Sequence, residues 1–492
     1  MAGHAASRTP KPSIDRPSRN RWLALLVLCA GLLMIILDGT VVTVALPSIQ
    51  RDLGFSATQL SWVVGAYLIP FGGLLLLAGR LGDLTGRRRI FIVGVLAFTV
   101  ASALCGLATS APMLILARFV QGAAGAVASA VVLAMVVGLF DDARERSRAI
   151  GIYSFIGAAG AAIGLLIGGL LTETWSWHWA FLINVPIGIA TAAVAWRILP
   201  ANRPTARQTR RDVLGALLIT GGLMLAVFTI TESPRRGWAS VFTIGLGAVS
   251  LLLVIAFIVR ESRISQPLLP MTIFADRRVW VANLAQFLAV GALFAFQFLL
   301  ALYLQDGLGY GAAAAGVAFL PITVMIGVFS LLIAPRVIVR WGGRAVLITG
   351  LTLIGIGLAL LSRVPVDGQY FLNIFPVMMI MGAGGGLTLP ALAGLGMAAA
   401  TTDDSGVASG LLNTTQQVGG ALGLAVLSSL AAARSAVDLA DGAEPSAALT
   451  AGHRLAFAVG TGLIVLAVLI TVVALRESDQ PAVAATIEPH RR

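Results

Sequence analysis

Ionisable side chains inside long apolar runs are costly in hydrocarbon and by default mark function. Two stand well inside such runs: Asp38, in LDGTVVTVALP (Leu37–Pro47), and Arg118, in LARFVQGAAGA (Leu116–Ala126). Asp38 lies 16 residues beyond Trp22, about 24 Å along a helix. Arg118 lies six residues past Pro112, about 9 Å into a run that enters from the opposite side. In a hydrocarbon layer about 30 Å thick, both reach a similar depth in the outer half. A carboxylate and a guanidinium at matched depth can satisfy each other directly or through water, and the chemistry open to them is coupling to an ion gradient. Two plainer roles fit the same residues: an interfacial anchor for Asp38 and a helix tie for Arg118. Gln121 offers an amide beside the guanidinium on the same helix. Asn184, Gln297, Asn413 and Gln417 are the other polar candidates for a cavity lining, with helix–helix hydrogen bonding as the alternative. Gln416 and Gln417 point to different faces, so at most one of them faces a cavity.

Other chemistry is missing. The sequence has no Gly-x-x-x-x-Gly-Lys-Ser/Thr phosphate loop. No Cys/His cluster has metal-ligand spacing, and the four histidines (His4, His178, His453, His490) are scattered. The expectation is a protein that is not an enzyme and uses no metal or cofactor, leaving an ion gradient as the energy source.

Composition says where these residues sit. The chain is 58% hydrophobic and 11% charged, against about a quarter charged for a soluble domain. That is an all-α integral membrane protein, since helices satisfy their own backbone in lipid. A net charge of +12 would suggest nucleic acid in a soluble domain, but the arginines fall in loops between apolar runs, where they set topology. Lys11 is the only lysine among 34 basic residues, a bias that points to a high-GC bacterial genome. Cys29 and Cys105 both lie in apolar runs, so no disulfide framework is implied. Trp177 and Trp179 read as an interfacial belt, and His178 as a solvated loop group.

Hydropathy gives fourteen spans, from 22–47 to 453–475. With the N-terminus inside, inner segments hold 27 basic residues and outer loops six, so both termini are expected in the cytoplasm. The long inner linkers Arg197–Asp212 and Arg260–Arg278 flank spans 7 and 8. The expected division is a tail (1–21), a six-helix bundle (22–199), an inserted two-span hairpin with linkers (200–278), a second six-helix bundle (279–475) and a tail (476–492). The longest outer loop, Ala433–Gly452, shows no obvious secondary structure.

Between spans 2 and 3 lies GRLGDLTGRRRI (Gly79–Ile90). Gly79, Gly82 and Gly86 allow a tight turn and close helix approach, Asp83 can cap a helix, and Arg87–Arg89 cluster just outside the bilayer. A worn copy, APRVIVRWGGRAV (Ala334–Val346), stands 256 residues downstream with Val339 in place of Asp83, which suggests two structural halves. In span 5, Gly157, Gly160, Gly164, Gly168 and Gly169 put glycine along one helix face, smooth against a neighbour.

Together these stretches resemble the fourteen-span drug–proton antiporter family of the major facilitator superfamily. The carriers of the likeness are LDGTVVTVALP, the 79–90 loop, LARFVQGAAGA, WHWAFLINVP (Trp177–Pro186), LYLQDGLGYGAAAAGVAFLP (Leu302–Pro321) and SGLLNTTQQVGGALGLA (Ser409–Ala425). The resemblance implies a major facilitator fold, two six-helix bundles around a cavity of alternating access, with two inserted spans. It implies proton coupling through Asp38 and Arg118 and an inner latch at the 79–90 loop. Under that topology spans 2 and 13 meet, so Asp83 is expected to face the start of span 13. Arg87 or Arg88 is expected to pair with Asp403 or Asp404, near water and worth about 0–1 kcal/mol per pair. One departure is that the family's span-5 motif has Gly-Pro where this chain has Gly164–Leu165. The expected activity is proton-coupled efflux of small hydrophobic or cationic molecules across a bacterial cytoplasmic membrane by a monomer. A dedicated self-resistance exporter for one compound, and a carrier without proton coupling, are the alternatives.

Overall fold

The computed structural model describes residues 18–55, 57–200, 212–264, 267, 269, 271–310, 312–398, 400 and 404–475. Every regular element among them is helical. The first half comprises α1 (Ser18–Leu53), α2 (Ala57–Thr85), α3 (Arg87–Gly106), α4 (Ala111–Ser129), α5 (Val132–Leu139), α6 (Ala143–Thr174), a one-turn α7 (Trp179–Leu182) and α8 (Asn184–Ile198). Then come α9 (Val213–Arg236) and α10 (Val241–Glu261). The second half comprises α11 (Arg277–Leu302), α12 (Ala312–Ala318), α13 (Leu320–Val328), α14 (Ala334–Leu361), α15 (Phe375–Gly396), α16 (Ser405–Ala440) and α17 (Pro445–Ala474).

Twelve helical stretches among the described residues are long and apolar enough to cross a membrane. One of them, Ala314–Leu361, has 48 residues, or about 72 Å if straight, and leaves helical geometry at Gly342. It has length for two crossings, and the 32-residue α6 for another, so the helices accommodate fourteen. Gly342 has φ 81° and its counterpart Gly86, 256 residues earlier, has φ 101°. Both turns use a left-handed conformation that L side chains resist, and the side of the molecule that carries them is termed inner, the opposite side outer. The outer segment Ala433–Gly452 differs from expectation: α16 continues to Ala440 and α17 starts at Pro445, which leaves a short turn there. Proline at the first turn and small residues through the segment let both helices extend beyond the lipid.

Within the first half α1 packs on α6 and α8, and α4 on α2 and α3; within the second, α11 packs on α16 and α17, and α14 on α15 and α17. The halves meet along two seams, α2 against α16 and α6 against α13–α15. The α9–α10 hairpin lies along α2 and touches α16. A Cβ at Gly73 would collide with Met224, so glycine sets that approach. At the outer end Trp62 meets Phe228 with ring centroids 5.8 Å apart, and Trp238 Nε1 donates to Ser429 Oγ at 3.0 Å. At the inner end Leu133, Ala134 and Ile150 share one apolar cluster with Ala393, Met397, Ala408 and Leu412, and Tyr153 packs against it. The inner ends of the two halves are therefore in contact, and the structure is closed on that side.

Candidate functional site

Asp38 and Arg118 meet directly, at 1% exposure each. Arg118 Nη1 donates to Asp38 Oδ2 at 2.5 Å, while its Nε donates to the Val63 carbonyl at 3.0 Å. Gln121, one turn further along α4, ties the pair together. Its Oε1 accepts from Arg118 Nη1 and its Nε2 donates to Asp38 Oδ1, both at 2.7 Å. The same Nε2 donates to Ser102 Oγ at 2.7 Å. Asn184, at the start of α8, gives the Asp38 carboxylate its third donor, to Oδ1 at 2.9 Å. The Tyr67 ring centroid lies 4.3 Å from the guanidinium carbon, a cation–π contact without water between them. Four helices and the head of α8 thus supply one closed polar network in an apolar setting. Removing one partner of such a pair costs about 3–5 kcal/mol, because the other charge stays buried.

The α6 glycines explain how α1 is held. Cβ atoms at Gly160, Gly164 and Gly168 would collide with Ile36, Thr40 and Val41, so this face lies against the turn carrying Asp38. Gly157 faces open space, off that seam, and the surroundings of Gly169 and Leu165 lie outside the described residues. Thr40 Oγ1 donates back to the Leu37 carbonyl at 3.0 Å, which keeps its hydroxyl satisfied within α1.

The remaining polar candidates separate. Gln121 and Asn184 belong to the buried network around Asp38. Gln297 is exposed on α11, and Gln417 is half-buried on α16. Asn413 donates to the Ser409 carbonyl and also hydrogen-bonds the Tyr153 side chain, across the inner contact between the halves. Gln286 is buried with its amide on the Leu412 carbonyl at 2.9 Å. Glu232 is another buried carboxylate, at the far end of α9, paired with Arg236 at 3.1 Å. Trp177 is buried, donates to Asp52 at 2.8 Å and stacks on His178, while Trp179 is exposed. Its indole N–H needs a partner, and the Asp52 carboxylate outside α1's apolar stretch provides one. Ser102 and Tyr67 were missed from the sequence; a lone serine in the α3 apolar run was the available signal.

At the inner end, Asp83 is buried and accepts from the backbone N–H groups of Gly406 (3.0 Å) and Val407 (3.1 Å), the first turn of α16. Gly79 backs this contact, since a Cβ there would strike the Gly406 carbonyl oxygen. Among the described residues the ion pairs at this turn join Arg87 to Asp83 and Arg80 to Asp404, where Arg87 or Arg88 with Asp403 or Asp404 was expected. Arg87 turns back across Gly86 and binds Asp83 Oδ1 through Nε (3.0 Å) and Nη2 (2.8 Å). Arg88 points to the outside of the first half and donates to the Trp196 carbonyl. Asp404 is met by Arg80 at 3.7 Å, and Asp403 lies outside the described residues. The physical reason is reach: Arg87 is four residues from Asp83 on one side of the turn, whereas Arg80 shares the α2 face that crosses α16.

Comparison with known proteins agrees with this arrangement. The family model described as Major Facilitator Superfamily matches residues 28–424. A puromycin resistance protein of Streptomyces alboniger is 38% identical over 95% of this chain and 93% of its own. A cephamycin export protein of Amycolatopsis lactamdurans is 36% identical over 95% and 94%, and the multidrug resistance protein Stp of Mycobacterium tuberculosis 32% over 85% and 77%. Among solved structures, the human organic anion transporter MFSD10 superposes with a TM-score of 0.65 at 15% identity, covering 93% of this chain and all of that one. That likeness speaks to fold alone. With the family model and full-length relatives in agreement, the chain belongs to the major facilitator superfamily of membrane transporters.

Proposed function

We propose that this protein is a proton-coupled exporter of hydrophobic or amphipathic antibiotics, in the cytoplasmic membrane of a bacterium, with both termini in the cytoplasm. In this reading it works as a monomer of fourteen spans, two six-helix bundles (22–199 and 279–475) and the inserted hairpin between them. Its cargo is small hydrophobic or cationic molecules, and the proton gradient drives it. The observation that carries the reading is the Asp38–Arg118 pair, a carboxylate sealed from water against its only charged contact in the network. Protonating Asp38 cancels one charge of that pair, so the packing of α1 against α4 becomes sensitive to proton load. Positions 256 residues on hold Phe294 for Asp38 and Ile374 for Arg118, so only the first half carries this device.

Reconstituted protein in energised vesicles tests it. Asp38→Asn should insert normally and lose proton-driven efflux by about a hundredfold to a few thousandfold, the scale of about 3–5 kcal/mol for a broken buried pair. Wild-type efflux in Asp38→Asn, or parent efflux that survives a protonophore, would end the coupled reading. A second reading is favoured by the names of the puromycin and cephamycin relatives, each aligned over nearly its whole length. They support a dedicated exporter of one antibiotic, and a resistance profile confined to one chemical class would select it.

A further inference from the structure

Asp38 changes its hydrogen-bonding type when it takes up a proton, and something beside it must accept the new O–H. As a carboxylate it only accepts, and Arg118, Gln121 and Asn184 all donate to it. As an acid it carries one donor that the same three N–H groups cannot receive. Gln121 Oε1 already accepts from Arg118 and faces Cys105 Sγ at 3.5 Å. Ser102 Oγ receives the Gln121 amide, and the Val63 carbonyl receives Arg118 Nε. Asn184 Oδ1 is the exception: it is buried with no hydrogen-bond partner among the described residues. The two ends of an amide have nearly the same shape, so the cleft that seats one orientation seats the other. A half-turn about the Cβ–Cγ bond puts Oδ1 where Nδ2 now stands, 2.9 Å from Asp38 Oδ1.

We propose that Asn184 is the positioning residue that fits Asp38 to both protonation states, donating its N–H to the carboxylate and, after amide reversal, accepting the O–H of the acid. This rests on the reading of Asp38 as the residue that exchanges protons. The surroundings leave few competitors. The ionisable groups facing the site are Arg118 on α4, Cys105 on α3 and Tyr67 on α2. From α6 come Gly160, Gly164 and Gly168, from α7 Phe181, and α5 has no titratable residue. Without Asn184 the carboxylate keeps two donors, whereas the acid loses its acceptor. Loss of the amide should therefore leave the O–H of the acid without a hydrogen bond, a change that the carboxyl's own vibration reports.

The test is an infrared pH titration of the purified protein in lipid, following the protonated-carboxyl band that Asp38→Asn removes. Asn184→Leu should move that band to higher wavenumber, because the O–H of the acid no longer has an acceptor, and should alter the pH profile of efflux. Asn184→Ser, whose hydroxyl both donates and accepts, should stay near the parent. Asn184→Ala gives the same expectation as leucine should the larger side chain not fold, as judged by thermal melting. A band unmoved in Asn184→Leu and Asn184→Ala, or moved to lower wavenumber, overturns the role of Asn184 and leaves Asp38 coupling intact. If Asp38→Asn removes no band and keeps driven efflux, the coupling reading fails, and this proposal with it.

Discussion

The two seams between the halves are built on the same repeat and held shut differently. On one, α2 crosses α16 at Gly79 and Gly406; on the other, α6 crosses the second half at Gly151, where a Cβ would strike the Ser330 carbonyl oxygen. Both approaches are backbone-close, and both hinge on an inner turn with a left-handed glycine, Gly86 or Gly342. Among the described residues, only the first seam has a carboxylate hydrogen-bonded across it. Asp83 caps α16 from another helix, and α16's own N-cap residue, Asp404, makes no capping bond. By contrast α6 is capped by its neighbour in sequence, Asp142, through the Arg144 and Glu145 N–H groups at 2.9 and 2.8 Å. In the register of the repeat, α16 starts six residues later than α6. Its free N–H groups therefore fall level with Asp83. The N–H groups of α6 at that level are already bonded within the helix, so an acid at Val339 would have nothing to cap. A borrowed cap is lost when the seam opens; an own-chain cap is not.

The largest effect should come from the glycines themselves. Gly79→Val and Gly151→Val each force a side chain into a carbonyl oxygen across a seam, where no flexible neighbour can yield. Both variants should lose nearly all transport, and a cysteine placed in the inner cavity should label faster in each. If Gly151→Val transports normally, the second seam is not closed as Gly151 indicates, and the symmetry between the seams fails.

Next in size is Asp83. Asp83→Asn keeps an acceptor oxygen but removes the charge that holds Arg87 and strengthens the cap, a loss of about 1–2 kcal/mol or about tenfold in the closed population. Inner-cavity labelling should rise by about that factor, and transport should fall more than in Asp404→Asn. The Arg80–Asp404 pair is long and partly exposed, so its loss should move labelling less than threefold. Val339→Asp should not tighten the other seam. If it slows labelling, start positions of α6 and α16 do not explain the asymmetry.

How much of this was legible follows from what hydropathy and spacing can report. Depth is one such quantity, which is why Asp38 and Arg118 could be matched across 80 residues before any contact was seen. Repeat offset is another: it foretold the turn at Gly342, and the loss of Asp83 at Val339. Rotation about a helix axis is not. The reading could not tell that Asn184 and Gln121 both turn their amides onto Asp38, or that Arg80 reaches Asp404 at the start of α16. Side-chain reach within a turn is also invisible at that level, so the return of Arg87 to Asp83 was assigned across the seam. The latch was expected near water, whereas close glycine packing buries Asp83 and raises what the contact is worth.

The smallest effect concerns a second own-chain cap, and it bears on whether the borrowed cap is special. Asp212 precedes α9 and accepts from the Gly215 N–H at 2.9 Å, while Arg260 at the end of α10 grips both its oxygens at 2.9–3.1 Å. The hydrogen bonds from Arg260, helped by the Gly215 N–H and set against burial, hold the Asp212 carboxyl below the usual carboxylate range. A carboxyl lowered on folding stabilises the fold above its unfolded pKa of about 3.9 and loses that contribution as pH falls through the folded value. The base of the hairpin should then stay clamped at every pH from 8 down to about 5, and weaken only below about 4. Thermal melting of parent and Asp212→Asn should differ by a constant few degrees or less over the upper range and converge in strong acid. Inner-cavity labelling in Asp212→Asn should match the parent throughout, since α9 keeps its place along α2 whether the seam is open or closed. Faster labelling in Asp212→Asn would mean that the hairpin base shares the work of the gate, and that Asp83 is one of two carboxylates holding that seam.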